Sequence, residues 1–268
     1  MDETRSLADD VAEALEAPPA LLPLLPELLA DLPELGGDSA EIVELLRAGG
    51  LAPGARVLDL GCGKGTAAVR VARELGAHVS GVDGLLPFVE EARRRAALAG
   101  VSDRCRFWHG DLRRALADAE RDPVDAVLLV SVGRIPGDGD LAATVGHMRR
   151  AVRPGGLMIY DDGFLAPGAS LADVPEWADA LGHAETLRAL TAHGDVVVRE
   201  VLDDPAAIRR VNDRNNAAIA ARSEPLCAAH PDRAPLIRAF VANQERLVAL
   251  EEAGRLLGAT WLLRRADD

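Results

Sequence analysis

The chain is poor in aromatic residues, in cysteine and in positive charge. Aromatics make up 3% of its 268 residues, against 49% apolar residues in all, so its core must rest on Ala, Leu and Val. Cys62, Cys105 and Cys227 are odd in number, widely spaced and without a C-x-x-C pair. That excludes a disulfide framework or a cysteine zinc site and suits reduced thiols in a cytoplasmic protein. The opening residues, Met1-Asp2-Glu3-Thr4, lack the positive start of a secretory signal. No apolar run reaches the roughly 18 residues that span a bilayer, so no membrane partner is expected. A formal net charge of −13 also argues against a nucleic-acid partner, because phosphate binding needs a basic footprint.

What the chain does have is glycine at regular offsets. Residues 56–66 read R-V-L-D-L-G-C-G-K-G-T, a short apolar run followed by alternating glycines and then a helical pattern. This predicts a buried strand ending in a tight turn that opens a helix, with backbone N–H groups facing a ligand. The same alternation recurs downstream. Strands are expected at 78–82, 105–108, 126–132 and 157–160, ending in Asp83-Gly84, Gly110-Asp111, the Ser131 region and Asp161-Asp162-Gly163. Amphipathic helices of 10–13 residues separate them, which implies a parallel sheet covered on both faces. Arg153-Pro154-Gly155-Gly156 reads as a turn before the fifth strand. Valines at 196–198 and 201 suggest a sixth strand, and residues 260–263 a seventh.

The flanking regions are helical. Residues 1–50 are leucine-rich and broken by prolines, and they are expected to form an N-terminal extension or lid. The core is expected over 51–202, a helical cap inserted at 203–257, and the last strand at 258–268. A helix is also expected over 175–191. Asp204 and Pro205 read as the cap and first residue of the insertion's first helix. On that helix Asn212 and Asn215 lie on an otherwise apolar stripe, and Gln244 lies between Phe240 and Leu247 on a later one. Buried amides of this kind need partners, either from the core or from a bound substrate.

The glycine spacing separates ligand classes. A dinucleotide site wants G-x-G-x-x-G and a phosphate loop wants G-x-x-x-x-G-K-[ST]; this chain has G-x-G-x-G with Asp59 two residues before the first glycine. A carboxylate there would repel a pyrophosphate and suits a cationic, hydrogen-bond-donating ligand.

V-L-D-L-G-C-G-K-G resembles the first motif of the class I S-adenosylmethionine-dependent methyltransferases, and the likeness continues over about 50–165. The resemblance implies a seven-stranded, mostly parallel Rossmann-like α/β sheet in the order 3-2-1-4-5-7-6. It implies S-adenosyl-L-methionine as cofactor and S-adenosyl-L-homocysteine as product. Asp83, 18 residues beyond Gly65, would take the ribose hydroxyls, and Asp111 in H-G-D-L the adenine amino group. The cofactor-binding set is then Asp59, Gly61, Cys62, Gly63, Gly65, Asp83, Gly84, Gly110, Asp111, Leu112 and Ser131. Asp83 and Asp111 can equally be read as helix caps, and Trp108 as an adenine platform or a sheet-packing residue.

Methyl transfer needs alignment, exclusion of water and a base where the nucleophile carries a proton. Asp161, Asp162 and Arg134 are the catalytic candidates; Asn212, Asn215 and Gln244 are those for substrate binding. Metal-dependent members pair an Asp with an Asn near the fifth strand, a pattern absent here, so no metal is expected. The expected activity is methyl transfer to a small-molecule N, O or C nucleophile. A non-methylating enzyme on the same fold and a non-catalytic cofactor-binding protein stand as alternatives. The oligomeric state is left open, with a homodimer among the options.

Overall fold

The computed structural model describes residues 6–174, 177 and 179–267. The described residues within 34–162, 184–201 and 259–268 form one compact unit, and those within 1–33, 163–183 and 202–258 another.

The first unit is organised by the sheet. Its strands are β1 (Arg56–Leu60), β2 (His78–Asp83), β3 (Cys105–His109), β4 (Val124–Val130), β5 (Val152–Leu165), β6 (Val196–Leu202) and β7 (Leu256–Arg264), in the order β3-β2-β1-β4-β5-β7-β6. This is the expected order. β1 pairs in parallel with both β2 and β4, and its Val57, Leu58 and Leu60 are buried. A central parallel strand is apolar on both faces because helices cover both. Those helices are α3 (Ser39–Ala48), α4 (Thr66–Leu75), α5 (Leu86–Leu98), α6 (Leu112–Arg121), α7 (Leu141–Ala151) and α8 (His183–Leu190). Aspartates open several of them: Asp38, Asp111 and Asp140 each accept a backbone N–H in the first turn. Such a cap is worth about 1 kcal/mol. The expected helix over 175–191 is α8 in its second half; Pro175, Glu176 and Ala178 lie outside the described residues.

One expectation is corrected. The segment 153–156 is not a turn before β5 but a bulge within it. Val152 pairs with Val124 and Leu157 with Ala126, so four residues of β5 oppose Asp125 alone. The bulge stays in the sheet because the residue that follows β7 holds it: Gly155 N–H donates to Arg265 O at 3.0 Å and Arg265 N–H to Gly156 O at 2.9 Å.

The second unit holds α1 (Leu7–Ala14), a 3-10 turn (Pro19–Leu21), α2 (Leu25–Leu28), α9 (Pro205–Ala229) and α10 (Ala234–Glu252). Prolines divide the leucine run as expected, and Leu21, Leu25 and Leu28 are fully buried. Asp204 caps α9 and Pro205 is its first residue, also as expected. α9 packs on α10 and α2, with Ile219 and Leu226 facing inward and an ion pair from Arg222 to Asp31 at 2.7 Å. The apolar stripe predicted from Ile208 onward is buried only from Ile219; Val211 is exposed.

Candidate functional site

β1 delivers the chain into a turn where Gly61, Gly63 and Gly65 all have positive φ, +71°, +49° and +72°. Space forbids side chains there as well. A Cβ on Gly61 would stand 2.5 Å from Val132 Cγ2, and one on Gly65 would stand 2.6 Å from Ala92 Cβ. The turn is tied to β2, since Gly61 and Cys62 N–H both donate to Val82 O. Gly65 opens α4 with no side-chain cap. A helix start of this kind leaves its first amides to water or a ligand. The Cys62 side chain is buried beside Gly81 with its Sγ 3.9 Å from Gly63 O, and burial pushes the thiol well above its ordinary range.

Two carboxylates stand beside the turn. Asp83, at the end of β2, accepts Gly63 N–H at 2.9 Å on one oxygen and Leu85 N–H at 2.8 Å on the other. Burial raises its pKa, while those two bonds hold it down. Asp59 is buried within β1; burial, with the Asp83 charge adding to it, pushes its carboxyl up to about 7. Two acids competing for ionisation in one place form a site that a cation would relieve.

The end of β3 adds an aromatic wall. Gly110 N–H donates to Asp83 O at 3.0 Å, and the Trp108 indole lies against Gly110. His109 Nε2 lies 3.0 Å from Gly84 O. Asp111 caps α6 through Arg113 N–H at 2.8 Å and also pairs with the Arg113 guanidinium at 2.8 Å. Burial pulls its carboxyl up, but the bonds from Arg113 outweigh it and leave the pKa lowered. Leu112 is buried as the first residue of that helix.

At the ends of β4 and β5 the structure separates the two adjacent acids. Asp161 accepts Ser131 Oγ at 2.6 Å on one oxygen and Thr260 Oγ1 at 2.7 Å on the other, which joins β5 to β7 and to the residue that follows β4. Burial raises its pKa against those bonds. Asp162 accepts the Tyr160 hydroxyl at 2.6 Å. Tyr160 is buried, stacks on Trp261 with centroids 6.0 Å apart, and has its pKa raised well above the ordinary range. Burial is the main cause, the Asp162 charge adds to it, and the Arg134 charge opposes it. Arg134, Tyr160 and Asp162 therefore share one electrostatic neighbourhood. Sequence reasoning did not single out Tyr160; the available signal was the chain's one tyrosine set two residues before an acid on a strand, hence on the same face.

Asn212, Asn215 and Gln244 belong to the second unit. Asn212 Nδ2 donates to Glu251 Oε2 at 2.5 Å, Asn215 Oδ1 accepts from Arg214 Nη2 at 3.1 Å, and Gln244 is half-buried on α10. Among the described residues, no group of three or more His, Cys, Asp or Glu side chains could hold a metal ion.

Residues 57–156 match the family described as "Methyltransferase domain". An uncharacterized Escherichia coli protein, YjhP, is 32% identical over 142 residues, covering 53% of this chain and 54% of that protein. A fatty-acid O-methyltransferase of Mycolicibacterium smegmatis is 32% identical over 187 residues, covering 68% of this chain and 62% of the relative. The chain thus spans between half and two thirds of the length of these curated relatives. Among solved structures, a SAM-dependent methyltransferase from Geobacter sulfurreducens in complex with S-adenosyl-L-homocysteine superposes with a TM-score of 0.72 at 26% identity, covering 90% of this chain and 97% of the other. With the strand order and the glycine turn, these matches define a class of protein: a Rossmann-like domain with its ligand edge at the carboxyl ends of the strands. Residues 57–156 thus match a methyltransferase-domain family, and the fold is the one found in solved SAM-dependent methyltransferases.

Proposed function

We propose that the protein is an S-adenosylmethionine-dependent methyltransferase acting on a small-molecule acceptor. One observation carries the donor assignment: the buried carboxyl of Asp59, with the Asp83 charge adding to its cost of ionisation, stands beside a turn whose glycines admit no side chain. A sulfonium that also bears an ammonium group matches that field, whereas a pyrophosphate would be repelled. In this reading Asp59, Gly61, Gly63, Gly65 and the Cys62 backbone hold the methionine part. Asp83 and Gly84 hold the ribose, Gly110, Asp111 and Leu112 the adenine, and Ser131 lies beside the methyl end. Bound S-adenosylmethionine would supply an already activated methyl group. The chain's part is to orient the acceptor, exclude water and take up a proton.

The roles at the strand ends divide accordingly. Asp161 is the positioning acid, and Asp162, held by Tyr160 and near Arg134, is the acid that meets the acceptor. Asn212, Asn215 and Gln244 are the proposed acceptor-binding residues. A small-molecule acceptor is supported by the chain's net charge of −13 and by the fatty-acid relative. No helix among the described residues is long and apolar enough to cross a membrane, and all three cysteines are free thiols, which supports a cytoplasmic setting.

Calorimetry with S-adenosylhomocysteine tests the donor. Transfer of labelled methyl from S-adenosylmethionine into a metabolite extract, with an RNA arm in parallel, tests the acceptor. Absence of binding ends the donor assignment. Label entering RNA alone ends the small-molecule assignment, and binding without transfer to either pool leaves a cofactor-holding protein.

A further inference from the structure

The segment 34–39, Glu34-Leu35-Gly36-Gly37-Asp38-Ser39, carries no recognised motif, yet it touches the candidate site at three points. Leu35 lies on the glycine turn: a Cβ on Gly63 would stand 3.1 Å from Leu35 Cδ1. Gly36 is pressed on Ser131, where a Cβ would fall 2.3 Å from Ser131 Cβ and 2.5 Å from its Oγ. Gly37, at φ +55°, meets β4 and β5, with Val130 Cγ1 at 2.4 Å and Asp161 Oδ1 at 3.6 Å from a Cβ built there. No side chain fits at Gly36, and the left-handed backbone disfavours one at Gly37. The ends of the segment are clasped together. Ser39 Oγ donates to Glu34 Oε1 at 2.5 Å and Ser39 N–H to Glu34 Oε2 at 3.3 Å, while Asp38 caps α3.

The result is a strap laid across the carboxyl ends of β1, β4 and β5, the edge where an open α/β sheet takes its ligand. Its contacts are of an unusual kind for a linker. It is anchored at both ends, yet between them it presents one half-buried apolar side chain and two glycines. The residue under it, Ser131, is itself a non-glycine at φ +52°. Strain of this kind persists where the surroundings over-determine it, and it clusters at ligand clamps.

We infer that residues 34–39 are part of the methyl-donor site, a strap that closes over its methionine end, with Leu35 and Gly36 as the contact points. The inference rests on the donor assignment above and goes further by adding a wall that the glycine turn and the strand-end acids do not supply. Leu35 seals the turn against water, and Gly36 keeps the strap close enough for Ser131 to remain beside the methyl group. Both bear on a transfer that needs a dry, aligned site.

The test uses the full chain and S-adenosylhomocysteine as probe. Leu35→Ala and Gly36→Ala are each expected to weaken binding at least tenfold, and hydrogen exchange at the amides of 35–37 is expected to slow when the parent is saturated. Leu98→Ala, at a position 75% exposed, is the control and should bind as the parent does. If Gly36→Ala fails to fold, as far-UV dichroism would report, Leu35→Ala and the exchange measurement still decide. A parent that binds no S-adenosylhomocysteine overturns the donor assignment and the strap with it. A parent that binds, with Leu35→Ala within twofold and exchange at 35–37 unmoved, overturns the strap alone.

Discussion

Ser131 and Asp161 meet twice: the serine N–H donates to the aspartate carbonyl at 3.0 Å, and its hydroxyl donates to the carboxylate at 2.6 Å. With Thr260 on the second oxygen, this acid is satisfied by protein alone and ties β5 to its neighbours. Asp161→Ala should therefore destabilise the fold by about 2–3 kcal/mol, because the buried Thr260 hydroxyl and the Ser131 hydroxyl both lose a charged acceptor. Urea denaturation reads this directly. A loss below about 0.5 kcal/mol would return Asp161 to the pool of candidate bases.

This division of Asp161 from Asp162 marks where the sequence stopped being legible. The sheet order and the glycine turn could be read because each depends on local pattern: apolar runs, acids at strand ends, and glycines at fixed offsets. The bulge at 153–156 could not, since R-P-G-G forms a turn in isolation and is held in the strand by Arg264 and Arg265, over 100 residues away. Thr260 is invisible for the same reason: its bond to Asp161 is set by the register of β5 against β7, which no local spacing encodes, whereas the Tyr160–Asp162 pair, two residues apart on one strand, was legible. The strap at 34–39 escaped notice because its function lies in what its glycines lack.

Asp59 makes a pH prediction. Its folded-state pKa, raised to about 7, lies above the ordinary carboxyl value near 3.8. The folded protein then holds a proton that the unfolded chain has released, so this group makes stability fall as pH rises from about 4 to about 7. Asp59→Asn removes that dependence. Its unfolding free energy should match the parent's near pH 4 and exceed it near pH 8, by an amount on the order of 4 kcal/mol, with the thermal midpoint moving the same way. Affinity for S-adenosylmethionine should move the other way in the parent, rising through pH 7 as the carboxylate appears. Superimposable stability profiles would remove Asp59 from this account.

Asp83 holds the turn and, on the proposed reading, the ribose. A carboxylate has about four acceptor positions, and the Gly63 and Leu85 amides use one on each oxygen. Asp83→Ala should reduce affinity for S-adenosylhomocysteine by about two orders of magnitude, the value of two charge-assisted hydrogen bonds of ~1.5 kcal/mol each. Calorimetry on a variant that retains its far-UV dichroism measures this. Affinity within threefold of the parent would confine Asp83 to holding the turn.

Asp111 presents the sharpest choice between a structural and a binding role. It caps α6 and is paired with Arg113, whose side chain is 38% exposed, and either duty alone would account for an acid at this place. The two roles separate through the ligand. An exocyclic amino group donates to a carboxylate, whereas a 6-oxo purine presents an acceptor there and is repelled. The parent should then prefer S-adenosylhomocysteine to its inosine analogue by tenfold or more, and Asp111→Ala should lose that preference as well as affinity. Arg113→Ala should keep the preference, since it removes a partly exposed ion pair worth at most about 1 kcal/mol and leaves the carboxylate in place. If Asp111→Ala discriminates between the two ligands as the parent does, the carboxylate caps its helix and does nothing for the purine. Reading both ligands on all three proteins keeps a loss of folding apart from a loss of recognition, because only recognition changes the ratio.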